Sequence, residues 1–456
     1  MFIGIKTYVC VVIQMLIIAY MIYIIKNNDS VFPKGDLSRS SLFRGSIGNV
    51  TALLKETGKL SNHWIADTKS IPFRQRISSA NLSDLDLNKT KISLKFQKQD
   101  MTMKKRLTLI REKCLYYMND RYWQKFRQSG TVFAYEKKHI YFCMVPKAGN
   151  TFWKRIMIYI GKEYPENMNI KQPSDIDRHY VHESKFNNLQ TWSVQNPITR
   201  MLMSKGKSFM FARDPFSRLW SAYIDKFLLP DFWKADAVSV VMRLRPNATR
   251  YEKKCVNDVT FSEFLKFISL TYVRSMNIHW ERLHRVCSPC HEQFDVIGKL
   301  ESFASDVDYI LTKFNLDFLK QNISEYNKVQ VEITTLIKYN FDLEIKIGQR
   351  CFDKIDVAMR LWLAFQFNGY IDRQTVFPKT SLLKTRFYDN STKIFQELVL
   401  RTIEDQNILG IDISGQKRTM MQEAYRNIPK NLLTDILSIY EYDFELFGYK
   451  NTLFDD

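Results

Sequence analysis

Glycine and proline are scarce in this 456-residue chain, at 15 and 12 residues. That shortage excludes a collagen-like repeat and a low-complexity linker protein, both of which need far more of each. Cysteine is scarce as well: there are seven, with one C-x-x-C pair, Cys287 to Cys290, and no second pair. One such pair is half a zinc site, so no metal is expected. Acidic residues fall short of basic ones, 48 against 67, which leaves a net charge of +19. That field favours anionic partners such as nucleic acid, acidic membrane, phosphorylated small molecules or acidic polysaccharide. The common nucleotide signatures are also missing. Gly206-Lys207-Ser208 has the end of a Walker loop, but Met201 stands where its first glycine belongs, and the tripeptide precedes an apparent strand. No Gly-rich kinase loop, H-x-E zinc signature or G-x-S-x-G elbow occurs. Apolar residues are plentiful at 45%, enough in a chain of this length for one large core or two smaller ones.

The N-terminus narrows the choice of compartment. Thr7 to Ile25 carries no charge and is almost entirely apolar. As a helix it spans roughly 28 Å, about one bilayer core. A cleaved signal peptide has a shorter apolar run and a small-x-small site, whereas here bulky Met21 to Ile25 end the run. Residues 1–6 are therefore expected to be a cytoplasmic tail and 7–25 a single transmembrane signal anchor. N-x-[ST] sequons at Asn49, Asn81, Asn88, Asn247, Asn322 and Asn390, with Asn28 beside the anchor, favour a lumenal body and type II topology. Nuclear or cytosolic nucleic acid then becomes a poor explanation of the charge.

Residues 26–105 hold 15 Lys/Arg against 7 Asp/Glu without a sustained helical or strand period, which suggests a lumenal stem. From residue 106 the texture becomes that of a folded α/β body, 106–456. Two strand–loop–helix units stand out in it. Ile140 to Val145 is a short apolar run, followed by Pro146-Lys147-Ala148-Gly149-Asn150-Thr151 and a helical pattern. Phe209 to Ala212 is a second run, followed by Arg213-Asp214-Pro215 and another helical pattern. Fully apolar strands feeding helices predict a central parallel sheet with flanking helices, with ligands at the strands' carboxyl ends. Small residues between strand and helix let backbone amides form an anion nest at the helix N-terminus, beside the charge of Lys147. Arg213 and the Ser221 hydroxyl suit a second phosphate. Arg218 reads as a solvated helix charge.

The first loop, continued through Phe152-Trp153-Lys154-Arg155, resembles the 5′-phosphosulfate loop of Golgi carbohydrate sulfotransferases. Arg213 to Tyr223 resembles their 3′-phosphate loop. The Cys287-Ser288-Pro289-Cys290 pair with Phe294 to Glu301 behind it, and the ending Asp443-Phe444-Glu445-Leu446-Phe447-Gly448-Tyr449, are similar to the chondroitin 4-O-sulfotransferase group. The resemblance covers roughly 106–310 and 430–450; residues 315–430 match nothing and are an acceptor-side elaboration or a helical insertion. Ala148, Asn150 and Phe152 depart from the group's usual Val, Cys or Ser, and Asn.

What the resemblance implies is a P-loop-like sulfotransferase fold, 3′-phosphoadenosine 5′-phosphosulfate as co-substrate and a glycan hydroxyl as acceptor. Pro146, Lys147, Ala148, Gly149, Asn150, Thr151, Phe152, Arg213 and Ser221 would bind the donor, with Lys147 also catalytic. His182, between the two loops, is the expected general base, with Glu183 in reserve. The expected setting is the Golgi membrane. The body's 51 Lys/Arg against 41 Asp/Glu point to a polyanionic, chondroitin-like acceptor. The alternatives are a non-catalytic lumenal glycan-binding protein or another lumenal glycan-modifying transferase. The latter normally offers an Asp-x-Asp metal motif; Asp84-Leu85-Asp86 lies in the stem and Asp306-Val307-Asp308 follows no strand end. Cys143, inside an apolar run, is expected to be a buried free thiol, and Cys287 or Cys290 to form disulfides.

Overall fold

The computed structural model describes residues 80–117, 129–272, 275–322, 325–347, 351–385 and 387–453. The expected anchor lies outside these residues. Among the described residues no helix is long and apolar enough to cross a membrane.

The first described element is α1, Ala80–Tyr117, a 38-residue helix. The stem boundary expected at 105 falls inside it. Met103, Ile110, Cys114 and Tyr117 recur on one face at helical spacing and are buried. Polar contacts hold the same part of the helix as well. Tyr309 donates to Asp100 at 2.6 Å, and Arg106 pairs with Asp306 at 2.7 Å. A hydrophobic period cannot show a helix docked in that way.

Five strands follow: β1 Thr131–Tyr135, β2 Ile140–Cys143, β3 Leu189–Ser193, β4 Lys207–Ala212 and β5 Val296–Lys299. They form one sheet in the order β3-β1-β2-β4-β5. β2, β4 and β5 pair in parallel, in register Phe142 with Phe209 and Met210 with Ile297. β1 runs antiparallel to both β2 and β3, so the sheet is mixed and not wholly parallel as expected. The cause is local: only Glu136–His139 joins β1 to β2, with His139 at φ 52°, and so short a link permits only a hairpin.

The helices that matter for the site are α2 Asn150–Gly161, α3 Arg178–Glu183, α4 Pro215–Tyr223 (continued by a π turn, Ile224–Leu228) and α5 Phe303–Lys313. Residues 315–430 are largely helical and include α6 Glu325–Ile347, α7 Lys354–Asn368 and α8 Gln416–Arg426; the chain closes with α9 Lys430–Leu446. Two apolar cores result. One surrounds the sheet, where Trp153 packs on Phe209 at 4.6 Å and Phe142 stacks on Phe209 at 4.9 Å. The other is helical and joins α4 to α6, α7, α8 and α9.

Cys143 is not a free thiol. It is bonded to Cys287, and Cys114–Cys290 and Cys255–Cys351 are the other two disulfides. Ser129 N donates to Arg285 O at 3.0 Å, which lays the chain before Cys287 along the sheet and within reach of Cys143. Both cysteines of the C-x-x-C pair are therefore in disulfides, each with a different partner.

Candidate active site

A cavity of about 710 Å³ opens at the carboxyl ends of β2 and β4, walled by residues from both cores. The first loop forms its floor. Val145 and Ala148 are buried, and Ala148 N donates to Val145 O at 3.2 Å to close a turn. Lys147 at φ 67° and Gly149 at φ 81° are both left-handed, the alternation that turns successive amides toward one side. At Gly149 only glycine fits, because a Cβ there would sit 2.8 Å from the Phe303 ring. Gly149 N-caps α2 without any side-chain cap, so the first-turn amides keep their donor capacity. Gly149, Asn150, Thr151 and Phe152 all line the cavity. Asn150 Oδ1 is buried with no hydrogen-bond partner, an orphaned polar atom in the wall that a ligand group can satisfy. Ala148 lies beneath the surface and does not line the cavity.

The second loop meets the first. Arg213 is buried; its Nε donates to Ser217 Oγ at 3.1 Å and its Nη1 to Lys147 O at 2.9 Å. Asp214 N-caps α4 by accepting from Ser217 N at 2.7 Å, and its own N–H donates to Glu301 at 2.9 Å. Burial, with Glu301 close by, pushes the Asp214 carboxyl up to about 6. Ser221, two turns along α4, also lines the cavity. Arg218 is not the solvated charge expected of it. It is 2% exposed and donates to Pro146 O, Glu281 O and Ile278 O at 3.1, 2.5 and 3.0 Å. A guanidinium with three carbonyl partners can stay inside, and it fixes the first loop to the second.

The third wall holds the expected base. His182, on α3, opens into the cavity with Nε2 3.1 Å from Thr151 Oγ1. Burial, then Lys154, Arg178 and Lys226, pulls its pKa down to about 3, so the imidazole is neutral at physiological pH. Its neighbour Glu183 also lines the cavity, next to His179 at 3.1 Å.

Several lining residues escaped the sequence. Lys147 Nζ lies 2.9 Å from Asp225, which also has Lys226 at 3.4 Å and Arg178 at 3.7 Å. Burial alone would raise the Asp225 carboxyl, but Lys147, Lys226 and Arg178 hold it well below its ordinary value. Burial pulls the Lys147 ammonium down, with Asp225 opposing. Arg178 lies 4.6 Å over the Tyr339 ring of α6. Residues 315–430 add Glu332, Tyr339, Tyr370 and Lys417 to the wall. Arg178 shares a helical face with His182, four residues on, which was the one available signal. Nothing in the spacing of Asp225 or Lys417 marks them. Among the described residues no group of three or more His, Cys, Asp or Glu is placed to hold a metal ion.

A family model described as the sulfotransferase family matches residues 131–360, half of the chain, and includes both loops and His182. The chain belongs to the sulfotransferase family. Among curated proteins, it is similar to carbohydrate sulfotransferase 8 of Mus musculus, 30% identical over 264 residues, 55% of this chain and 61% of that protein. Carbohydrate sulfotransferase 12 of Xenopus laevis is 32% identical over 207 residues, 41% of this chain and 49% of that protein. Carbohydrate sulfotransferase 11 of Rattus norvegicus is 32% identical over 183 residues, 39% of this chain and 50% of that protein. The chain thus spans about half to three-fifths of the length of these sulfotransferases. No solved structure matches it. Lys417 lies beyond the stretch that matches the sulfotransferase family.

Proposed function

We propose that this protein transfers the sulfuryl group of 3′-phosphoadenosine 5′-phosphosulfate to a hydroxyl of a glycan, in the lumen of the Golgi. One observation carries the reading: two cationic loops and a neutral imidazole meet in one cavity large enough for a nucleotide and a sugar. Lys147 and the amides of residues 149–151 would stabilise the charge left on the departing 5′-phosphate. Arg213 Nη2, which has no partner among the described residues, and the Ser221 hydroxyl would hold the 3′-phosphate, the group that distinguishes this donor from ATP. Pro146 and Ala148 shape the turn, and Asn150 and Phe152 border the donor.

The reaction demands in-line placement. The bond from sulfur to the 5′-phosphate oxygen breaks, a bond from sulfur to the sugar oxygen forms, and the hydroxyl proton goes to His182 Nε2. Thr151 occupies that nitrogen in the structure, so the sugar hydroxyl takes its place. A resting pKa of about 3 keeps His182 free to accept a proton. Once the donor's anionic groups compensate Arg178 and Lys226, the imidazole becomes more basic, as a general base requires.

The acceptor we infer is a polyanion of the chondroitin type, because the body's charge excess exceeds what a single donor compensates. Asn247 and Asn390 are exposed, as glycosylated positions of a lumenal body must be. The test is to offer the full-length protein, with sulfate-labelled donor, chondroitin beside a neutral glycan at low and high salt. Label on chondroitin, weakening steeply with salt, supports the reading. Label on the neutral chain alone, with a flat salt response, overturns the polyanionic acceptor; donor and glycan binding without transfer would mark a non-catalytic glycan-binding protein.

A further inference from the structure

We propose that Tyr339, on α6, is a positioning residue for the general base: it holds the short helix α3 so that His182 faces the reacting hydroxyl. The proposal rests on the reading of His182 given above. α3 has only six residues, Arg178–Glu183, and a helix that short does not hold itself together in water. Its place must come from its neighbours. α2 fixes one side, where Arg155 Nε donates to Ile176 O at 2.8 Å. That bond lies ahead of α3, so the turn carrying Arg178 and His182 needs a second support.

α6 supplies it. Ile333, Leu336, Ile337 and Phe341 recur at helical spacing and are buried in the helical core. Lys338, Tyr339 and Asp342 share an adjoining face of the same helix. They meet three consecutive residues at the start of α3. Lys338 Nζ lies 3.0 Å from Asp177, which caps α3 by accepting from His179 N at 2.8 Å. The Tyr339 ring lies 4.6 Å from the Arg178 guanidinium and 5.1 Å from the His179 ring. Asp342 lies 3.9 Å from His179 Nε2. The ion pairs of Lys338 and Asp342 are exposed and contribute little, so half-buried Tyr339 carries the contact.

Tyr339 also joins α3 to the cationic cluster. Its hydroxyl donates to Asp231 at 2.7 Å, and Asp231 pairs with Lys226. Lys226 lies 3.4 Å from Asp225, and Asp225 lies 3.7 Å from Arg178. With Arg178 stacked on Tyr339, these contacts close a ring. Arg178 is one turn from His182 on the same face of α3, and His182 Nε2 is 3.1 Å from Thr151 Oγ1. A shift of Arg178 therefore carries the imidazole with it, and a misplacement of about 1 Å can cost on the order of 100-fold in rate. The Tyr339 hydroxyl proton is already committed to Asp231, so the residue acts through α3 and not by proton transfer.

The test compares wild type, Tyr339→Leu and Tyr339→Phe as full-length proteins. In Tyr339→Leu, backbone amides of 177–184 should exchange hydrogen about 2- to 30-fold faster, the range for losing one cation–π contact, while 149–155 exchange as in wild type. With sulfate-labelled 3′-phosphoadenosine 5′-phosphosulfate and chondroitin, kcat should fall about 10- to 100-fold. KM for chondroitin and affinity for adenosine 3′,5′-bisphosphate should change less than about threefold, because neither contact is removed. Tyr339→Phe keeps a ring beneath Arg178 and should restore most of both losses. Unchanged exchange at 177–184, or equal acceleration at 149–155, overturns the proposal. So does a raised KM with kcat intact, which would make Tyr339 an acceptor contact. Tyr339→Leu is also combined with His182→Gln, where it should cost little beyond the loss that His182→Gln already brings. Full additivity overturns the proposal alone. Wild-type kcat in His182→Gln overturns the reading of the base, and the role of Tyr339 with it.

Discussion

Asp225 engages Lys147 in an ion pair that competes with the donor phosphate proposed for that lysine, and Asp225→Asn separates the stability of the site from its affinity. In the protein as folded, Lys147 and Asp225 lie 2.9 Å apart with side chains 19% and 12% exposed. Removing the carboxylate leaves Lys147, Lys226 and Arg178 facing one another. Breaking a buried pair costs about 3–5 kcal/mol, and the residual exposure together with Lys226's second partner, Asp231, lowers that to about 2–3 kcal/mol. Unfolding entropy is roughly 2.1 cal/mol/K per residue, or about 0.8 kcal/mol/K over the compact unit Ser79–Asp456, so Tm should fall by about 3 °C. Donor binding should respond in the opposite sense. Taking a separation on the order of 7 Å, removing one negative charge near a phosphate is worth about 1–2 kcal/mol at an effective dielectric near 20 with screening, roughly 5- to 30-fold in affinity. Scanning fluorimetry with and without adenosine 3′,5′-bisphosphate reads both effects. A variant that melts with the wild type and binds the nucleotide no better would refute the reasoning, because Lys147 would then not be restrained by Asp225.

Arg218→Met should be poorly folded, since it strips donors from three carbonyls and frees the first loop; a well-folded, active variant by circular dichroism and turnover would argue against that clamp. His279 lines the cavity with its pKa pulled down to about 2, by burial and then Lys226, against an ordinary 6.5. The unfolded chain therefore binds the extra proton below about 6.5, and stability should decline as pH falls from there toward 2, with a shallower decline in His279→Gln by melting temperature. All six cysteines of the three disulfides should resist alkylation until the protein is reduced and unfolded, read by mass spectrometry.

The strand–loop–helix units were legible because each strand is a short, wholly apolar run and each loop follows it directly. The antiparallel β1 was not, since its direction depends on a four-residue link and not on any periodicity. The reach of α1 into the expected stem was hidden for a related reason: ahead of Met103 it docks through Asp100 and a single aromatic, Phe96, both on Tyr309, which is too little to make an apolar period. Among site residues, those within a loop motif could be read, and Gly149 has a clear steric reason to be there. Asp225 was hidden by a π turn, and Lys417 by some 200 residues of chain between it and Arg213. Cys143 misled because a disulfide half buried in a strand has the same surroundings as a free thiol. Arg218 misled because burial of a guanidinium depends on carbonyls contributed by distant segments.

The central claim is that the two loops hold a sulfate donor for transfer. Its most direct test is transfer of labelled sulfate from 3′-phosphoadenosine 5′-phosphosulfate to a glycan by wild-type protein, Lys147→Ala and Arg213→Ala. Each substitution should remove about 2–4 kcal/mol of transition-state stabilisation, roughly 30- to 1000-fold in kcat/KM, with the circular dichroism spectrum unchanged. Wild-type rates of sulfate transfer in both folded variants would contradict the account.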